Sequence, residues 1–338
     1  MSTCNVISIS GGKDSTAMLT LAIERNTENL VVVFADTGHE HPETYEYVQY
    51  LDGYLRGQTG QHIHIVRADF ADRVNAKRQR MIENLICLDD CGRRDRHCTG
   101  YTQRSLENMI DLLHPTGVPF LDLCLWKGRF PSTTSRFCST ELKHEPLNRF
   151  MDPLLKQFDT VISWQGVRAD ESRERQNLPM YDVELGSWDP EPKGWLIYRP
   201  IIEWNAEQVF DQHRKAGVKW NPLYEKGMSR VGCMPCIHAR KDELSAIKTA
   251  YPEQFERVAQ WERLVSKASK RQMATFFSAD TVPGNSRVNS EINLDSHGIH
   301  QIAEWAGTSR GGRQYDLIKA IDVTDEKPKC TSVYGLCE

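Results

Sequence analysis

No apolar stretch in this chain approaches the ~20 residues that a bilayer-spanning helix needs. The first residues lack the basic and apolar segments of a secretory leader, so a cytoplasmic setting is expected. An excess of positive charge is missing too. The 42 Lys and Arg stand against 46 Asp and Glu, a net charge of −4, which excludes a chain-wide polyanion footprint. Internal repeats and low-complexity tracts are absent, and with them solenoid and disordered architectures. Local basic clusters remain. Arg93, Arg94 and Arg96 form the clearest, read either as a nucleic-acid contact or as a solvated charged loop. Ten cysteines in a reducing compartment point to metal binding or redox chemistry rather than structural disulfides.

What is present suggests an α/β protein. The 338 residues are enough for two domains, or for one domain with a sizeable appendage, and 39% apolar content supplies a core. Val6 to Ile9 reads as a strand and Ser15 to Arg25 as a helix with Met18, Leu21 and Ala22 on one face. Leu30 to Ala35 is a continuous apolar run, as a strand buried on both faces requires. Pro42 to Tyr54 reads as a helix and Gln61 to Val66 as a third strand. This alternation implies a parallel sheet with right-handed crossovers. Residues 71–135 break it with charges, turn formers and four cysteines, and read as an insertion over the site. Thr160 to Gly166 resumes the sheet. Asn205, with Gln208 three residues on, opens a capped helix to Gly217. Tyr251 to Lys270 reads as an amphipathic helix whose Phe255, Val258, Leu264 and Val265 belong to the core. From Thr275 the chain turns polar and irregular.

The most informative stretch is Ser10-Gly11-Gly12-Lys13-Asp14-Ser15, between the first strand and the first helix. Amides at a helix N-terminus are unpaired and carry partial positive charge, so they attract anions. Glycines let phosphate oxygens reach the backbone. Lys13 adds a full charge. Asp14 would repel phosphate unless a cation bridges them, which suggests Mg²⁺. The Walker pattern G-x-x-x-x-G-K-[ST] fails here, and so does the dinucleotide fingerprint G-x-G-x-x-G.

Ser10 to Ser15 resembles the pyrophosphate-binding loop of the N-type ATP pyrophosphatase (PP-loop) superfamily. Further segments narrow the resemblance to the phosphoadenylylsulfate (PAPS) reductase family. These are Phe34-Ala35-Asp36-Thr37-Gly38 with Pro42-Glu43-Thr44, then Arg136-Phe137-Cys138 with Glu141 to Leu147. Gly166 to Ser172 with Arg175 follows, then Asn221 to Tyr224 with Gly227 and Gly232-Cys233-Met234-Pro235-Cys236. The match covers residues 5–55 and 135–240, in family order. In loop type the chain looks like the DNA phosphorothioation members. The resemblance implies an open parallel-sheet, adenine nucleotide alpha-hydrolase-like (HUP-type) sandwich. Residues 1–240 would form that domain, with the cysteine-rich insertion at 71–135, and 241–338 a helical and irregular C-terminal region.

The resemblance also implies roles. An adenine nucleotide, ATP with Mg²⁺, would lie at the carboxyl ends of the strands. Ser10, Gly11, Gly12, Lys13, Asp14 and Ser15 would hold its phosphates. Asp36, Thr37 and Gly38 would reach the nucleoside or a metal, Asp36 being otherwise a turn-forming residue. Lys143 is a further anion-binding candidate, or an ordinary surface lysine. Arg168 and Arg175, ahead of Arg173, form a second cationic patch, because guanidinium pairs bidentately with phosphate or sulfate. Asp170, Glu171 and Glu174 between them would turn some of these into plain ion pairs.

Cys233-x-x-Cys236 has metal-ligand spacing, and Cys138 stands where the iron–sulfur members carry ligands. A [4Fe–4S] cluster is preferred over zinc. The cluster-bearing reductases have two adjacent cysteines where this chain has Cys138-Ser139. The fourth ligand would then come from Cys87, Cys91, Cys98, Cys124, Cys330 or Cys337, or one iron would stay open. Cys4 reads as a core thiol.

Three functions compete. The chain could cleave ATP between the α and β phosphates, adenylating an acceptor oxyanion for sulfur incorporation. DNA phosphate, tRNA and sulfate all fit as acceptors, with a cysteine desulfurase or other sulfur donor as partner. It could instead reduce PAPS or adenylylsulfate. Against that, the loop keeps Lys13-Asp14, and the tail Tyr334-Gly335-Leu336-Cys337-Glu338 lacks the reductase motif. Or it could be a non-catalytic module binding nucleic acid through Arg93, Arg94, Arg96, Lys267, Lys270 and Arg271. No membrane partner is expected, and the oligomeric state is left open.

Overall fold

The computed structural model describes residues 2–91, 100–183 and 195–309, and the side chains of 89–91 lie outside that description. Arg93, Arg94, Arg96, Cys98, Cys330, Cys337 and the Cys91 side chain therefore lie outside the described residues. The chain opens with β1 (Thr3–Ile9), α1 (Lys13–Glu24), β2 (Leu30–Asp36), α2 (Pro42–Thr59) and β3 (Ile63–Arg67). Next come α3 (Ala71–Cys91), α4 (Gln103–Leu112), α5 (Pro119–Lys127), the single turn α6 (Phe137–Ser139) and α7 (Glu145–Gln157). Then follow β4 (Thr160–Trp164), β5 (Tyr181–Val183), β6 (Trp195–Tyr198) and α8 (Ala206–Ala216). The remainder is helical: α9 (Lys241–Ala250), α10 (Pro252–Lys267), α11 (Leu294–His297) and α12 (Ile299–Ala306). Among the described residues, no helix is long and apolar enough to cross a membrane.

Two compact units result. The first takes residues 2–67 and 142–234, the second 68–141 and 235–309. In the first unit six strands run in the order β3-β2-β1-β4-β6-β5, all parallel except β5 against β6. Alternation along β1 explains the two cores. Ile7 and Ile9 face Met18, Leu21, Leu51 and Leu55 of α1 and α2. Cys4 and Val6 face the other way, with Val33, Val161 and Met151 of α7. Cys4 is thus a core thiol, as its place in the strand suggests. Strand order reverses direction at β1, whose neighbours are β2 and β4. Such a switch point opens a crevice at the carboxyl ends of the strands, and residues 10–12 follow β1 there.

In the second unit the charge-rich stretch after residue 70 is mostly helical, not the break in regular structure that its composition suggests. Val74, Met81 and Leu88 recur every seventh residue along α3 and all three are buried, so one stripe suffices to hold a helix that is polar elsewhere. Helix α10 packs on α4, α5, α9 and α12, and α3 packs on α4 and α5. Phe255, Val258 and Val265 of α10 are core residues, as their spacing indicates, whereas Leu264 is only half-buried. Phe120 of α5 stacks on Trp261 with ring centroids 5.6 Å apart.

Candidate functional site

The loop after β1 is held by its own polypeptide on one side only. Gly11 has φ +71°, and a Cβ there would lie 2.9 Å from Thr44 Cγ2, so only glycine fits. Helix α1 starts after Gly12 with no side-chain cap. The Ser10 amide donates to Ser15 Oγ (3.1 Å), and that hydroxyl donates to the Gly12 carbonyl (3.0 Å). The Lys13 amide donates to the Tyr224 hydroxyl (3.0 Å). Among the described residues, no acceptor meets the amides of Gly11, Gly12, Asp14 and Ser15. Backbone donors left open at a helix N-terminus are suited to an anion.

Three side chains that support the loop carry no obvious sign of that role in the sequence. Asn221 Nδ2 donates to the Gly11 carbonyl (3.1 Å). Tyr224 is buried against Phe210. His213 of α8 lies 2.9 Å from the Lys13 carbonyl through Nε2, which must carry the proton because a carbonyl only accepts. Burial, the largest cause, holds the His213 pKa below its ordinary value, so the ring is neutral. Asn221 and Tyr224 fall in a segment quoted above. For His213 the only hint is its four-residue spacing from Val209 on the buried face of a helix.

The charged residues form a chain. Asp14 lies between Lys13 Nζ (3.1 Å) and Arg168 Nε (2.6 Å). Arg168 is only 4% exposed, and its Nη1 also reaches Asp170 (2.7 Å). Arg175 pairs with Glu171. Of the two arginines expected to bind an anion, Arg168 thus sits beside the loop and fixes Asp14, whereas Arg175 is satisfied by a neighbouring acid. Gly166 permits this approach: a Cβ there would come 3.4 Å from the Ser15 amide nitrogen.

At the end of β2, Asp36 accepts from the Gly38 amide (2.8 Å) and the Tyr45 hydroxyl (2.7 Å), and pairs with Arg67 (3.3 Å). Thr37 Oγ1 donates to Glu40 Oε1 (2.7 Å), and the Tyr45 hydroxyl lies 3.0 Å from Glu40 Oε2, so its one proton is shared between Asp36 and Glu40. Burial, and then the Glu40 charge, raise the Tyr45 pKa far above its ordinary value, so the hydroxyl keeps its proton. The buried Glu40 is a residue that sequence reasoning missed. Its backbone bridges to Cys233, and the Cys233 thiol lies 3.9 Å from Glu40 Oε1 and 3.6 Å from Thr37 Oγ1. Nothing in the sequence separates Glu40 from the solvent-facing acids nearby.

Lys143 is half-buried in the π-turn Thr140–His144. Cys233 belongs to the first unit, Cys138 and Cys236 to the second. All three are half-buried thiols outside any disulfide. The Cys236 sulfur accepts from the His238 amide (3.5 Å), and its carbonyl from the Ala239 amide (2.8 Å), so the chain turns tightly around it. Cys124 is fully buried; burial first, and then Cys138 beside it, push its thiol pKa up. Among the described residues, no group of three or more His, Cys, Asp or Glu is gathered as a metal site.

The sequence profile of the phosphoadenosine phosphosulfate reductase domain matches residues 4–87 and 122–239. The chain belongs to this family. The matched spans contain the loop, the end of β2, Arg168, Arg175 and all three candidate ligand cysteines. Family membership makes this a protein of sulfur-related nucleotide chemistry. The chain is 46% identical, over its whole length and 97% of the other, to the uncharacterized 37.8 kDa protein in gpa 5'region of Escherichia phage 186. It is 26% identical to the uncharacterized protein MJ0973 of Methanocaldococcus jannaschii over 74% of this chain, and spans 45% of that protein's length. Among solved structures it is similar to the phosphoadenylyl-sulfate (PAPS) reductase of Candida auris, with 18% identity, TM-score 0.38, and coverage of 68% of this chain and 80% of that one.

Proposed function

We propose that this chain is an ATP pyrophosphatase that adenylates an acceptor oxyanion and so prepares it for sulfur. The observation that carries the reading is the set of open amides at Gly11, Gly12, Asp14 and Ser15, beside Lys13, at the head of α1. The acceptor oxygen attacks the α-phosphorus, and the bond from that phosphorus to the bridging oxygen of the β-phosphate breaks. Pyrophosphate leaves with the electron pair. A sulfur nucleophile then displaces AMP, which carries away the acceptor's oxygen. Catalysis is electrostatic: the amides and Lys13 stabilise charge on the departing phosphates. Arg168 holds Asp14 in place.

Asp14 is a hard oxygen donor at the loop, already balanced by two cations, and fits a Mg²⁺ that arrives with the triphosphate. The thiols of Cys138, Cys233 and Cys236 are soft donors whose chemistry suits iron–sulfur ligation better than Mg²⁺ or a disulfide role, and among the described residues they are not gathered as a metal site. A cluster held by such thiols would supply sulfur or electrons, and a cysteine desulfurase-type partner would deliver the sulfur. DNA phosphate, tRNA and sulfate are the acceptor classes that suit the loop. The reductase reading is favoured by the family name alone; the intact Lys13-Asp14 pair argues against it.

Anaerobically purified protein given Mg-ATP together with DNA, tRNA or sulfate as acceptor should release pyrophosphate, and Lys13→Ala should lower the rate by roughly a hundredfold or more. Sulfite release from PAPS without pyrophosphate release from ATP would overturn the reading.

A further inference from the structure

The second unit contains a cavity of about 1950 Å³ that takes no part in the nucleotide site. Small-molecule pockets are typically ~300–1,000 Å³, so this one suits a longer ligand. Among the described residues, seven lysines and arginines line it against a single carboxylate, Glu83, in a chain whose net charge is −4. The excess is therefore local.

Several of these cations lie over aromatic rings. The Arg73 guanidinium is 4.4 Å from the Trp126 ring centroid and Lys127 Nζ is 3.8 Å from it. Lys270 Nζ lies 4.8 Å from the Tyr101 centroid. Rings hold these side chains in place, which lowers the entropy lost when an anion arrives. Arg73 and Lys127 share one acid, Glu141, at 3.1 and 2.9 Å. Among the described residues, no carboxylate pairs with Arg80, Arg129 or Arg271; Arg129 reaches Ser135 Oγ (3.3 Å) and Arg271 reaches Asn289 Oδ1 (3.4 Å). Lys77 sits deeper, its ammonium donating to the Leu125 and Ala268 carbonyls at 2.7 and 3.0 Å. Burial, and then Arg80, lower its pKa to about 8, as expected where cations outnumber anions.

A concave wall of cations interleaved with rings matches an unstacked strand better than a duplex. Phosphates need the charge, and bases need a flat partner, which Tyr101 and a ring-stacked guanidinium offer. A duplex hides its bases and would leave the rings unused. We propose that this cavity binds single-stranded nucleic acid, its lysines and arginines taking the phosphodiesters and its aromatic groups the bases. As the acceptor of the reaction proposed above, the strand rests on that reading; as the occupant of this cavity it does not.

The test is fluorescence anisotropy of the full chain, without nucleotide, against labelled 20-mers of single-stranded DNA and of RNA. Binding of at least one is expected with a dissociation constant of roughly 10⁻⁶–10⁻⁴ M at physiological salt, and the logarithm of that constant should rise linearly with the logarithm of salt. Arg80→Glu with Arg271→Glu should weaken it at least about tenfold, and an abasic strand of equal charge should bind at least about fivefold more weakly than the intact one. Both arginines are exposed, and a melting curve checks that the double variant is folded. If it is not, the abasic comparison on the unmodified protein decides. No binding to either strand, unchanged binding by the folded double variant, or equal binding of abasic strand or duplex would overturn the proposal. Pyrophosphate release from Mg-ATP is measured separately, with DNA, tRNA or sulfate supplied as acceptor. Strand binding without it sustains the cavity and removes the ATP reading; the reverse result sustains the ATP reading and removes the cavity.

Discussion

At Gly11 a side chain is excluded twice, by φ of +71° and by Thr44 Cγ2 at 2.9 Å from any Cβ. Gly11→Ala should cost about 1–3 kcal/mol in urea unfolding and abolish measurable Mg-ATP binding, because the turn that aims the amides cannot form. A second residue-scale test concerns His213, which faces Lys13 and Asp14. Its folded pKa lies below the ordinary histidine value, chiefly through burial. The unfolded chain therefore takes up a proton near pH ~6.5 that the folded ring resists. Stability is present above that pH and is lost as pH falls toward the folded pKa. His213→Gln keeps a donor for the Lys13 carbonyl but does not titrate. Its stability deficit relative to the parent protein should shrink between pH 7.5 and 5.5 in denaturant titrations. The loop itself was legible, since glycines, a lysine and a serine between strand and helix have few other uses. The groups bracing it from far along the chain were not. A tyrosine, an asparagine and a histidine reveal such a role only once the fold brings residues 213–224 to residues 11–13.

Elements were readable where one pattern sufficed. The run Leu30–Asp36 is buried on both sides of the sheet, and Asn205 and Gln208 form the reciprocal cap that their spacing implies. Helix α3 was hidden because its apolar stripe is one residue in seven, diluted by charge. Helix α10 carries a feature no pattern announces. Glu262 is buried, accepting from the Phe276 amide (2.7 Å) and the Ile299 amide (2.9 Å). Burial, the largest cause, lifts its pKa to about 7 against these two donors. For an acid raised in the folded state, stability is complete below the unfolded value of ~4.5 and declines as pH rises through about 7. Unfolding free energy should therefore fall between pH 5 and 8 by up to roughly 1.4 kcal/mol per pH unit, and Glu262→Gln should remove most of that slope. An equal slope in the variant would assign the effect elsewhere.

For the molecule as a whole, contiguous stretches of sequence are a poor guide to the units. Residues 68–141 share a unit with 235–309, and 142–234 return to the sheet. Composition marks where the chain leaves the sheet, but not which distant segment it packs on, since helix–helix packing of that kind is decided by complementary apolar faces and not by local signals. The chemistry divides in the same way: a loop readable from six residues, and a basic cavity assembled from segments some two hundred residues apart. The most direct measurement is a crystal of the protein soaked with Mg²⁺ and α,β-methylene-ATP. The β- and γ-phosphate oxygens should lie within about 3 Å of the amides of Gly11, Gly12, Asp14 and Ser15, with Lys13 turned toward them. Nucleotide bound elsewhere, with those amides facing solvent, would contradict it.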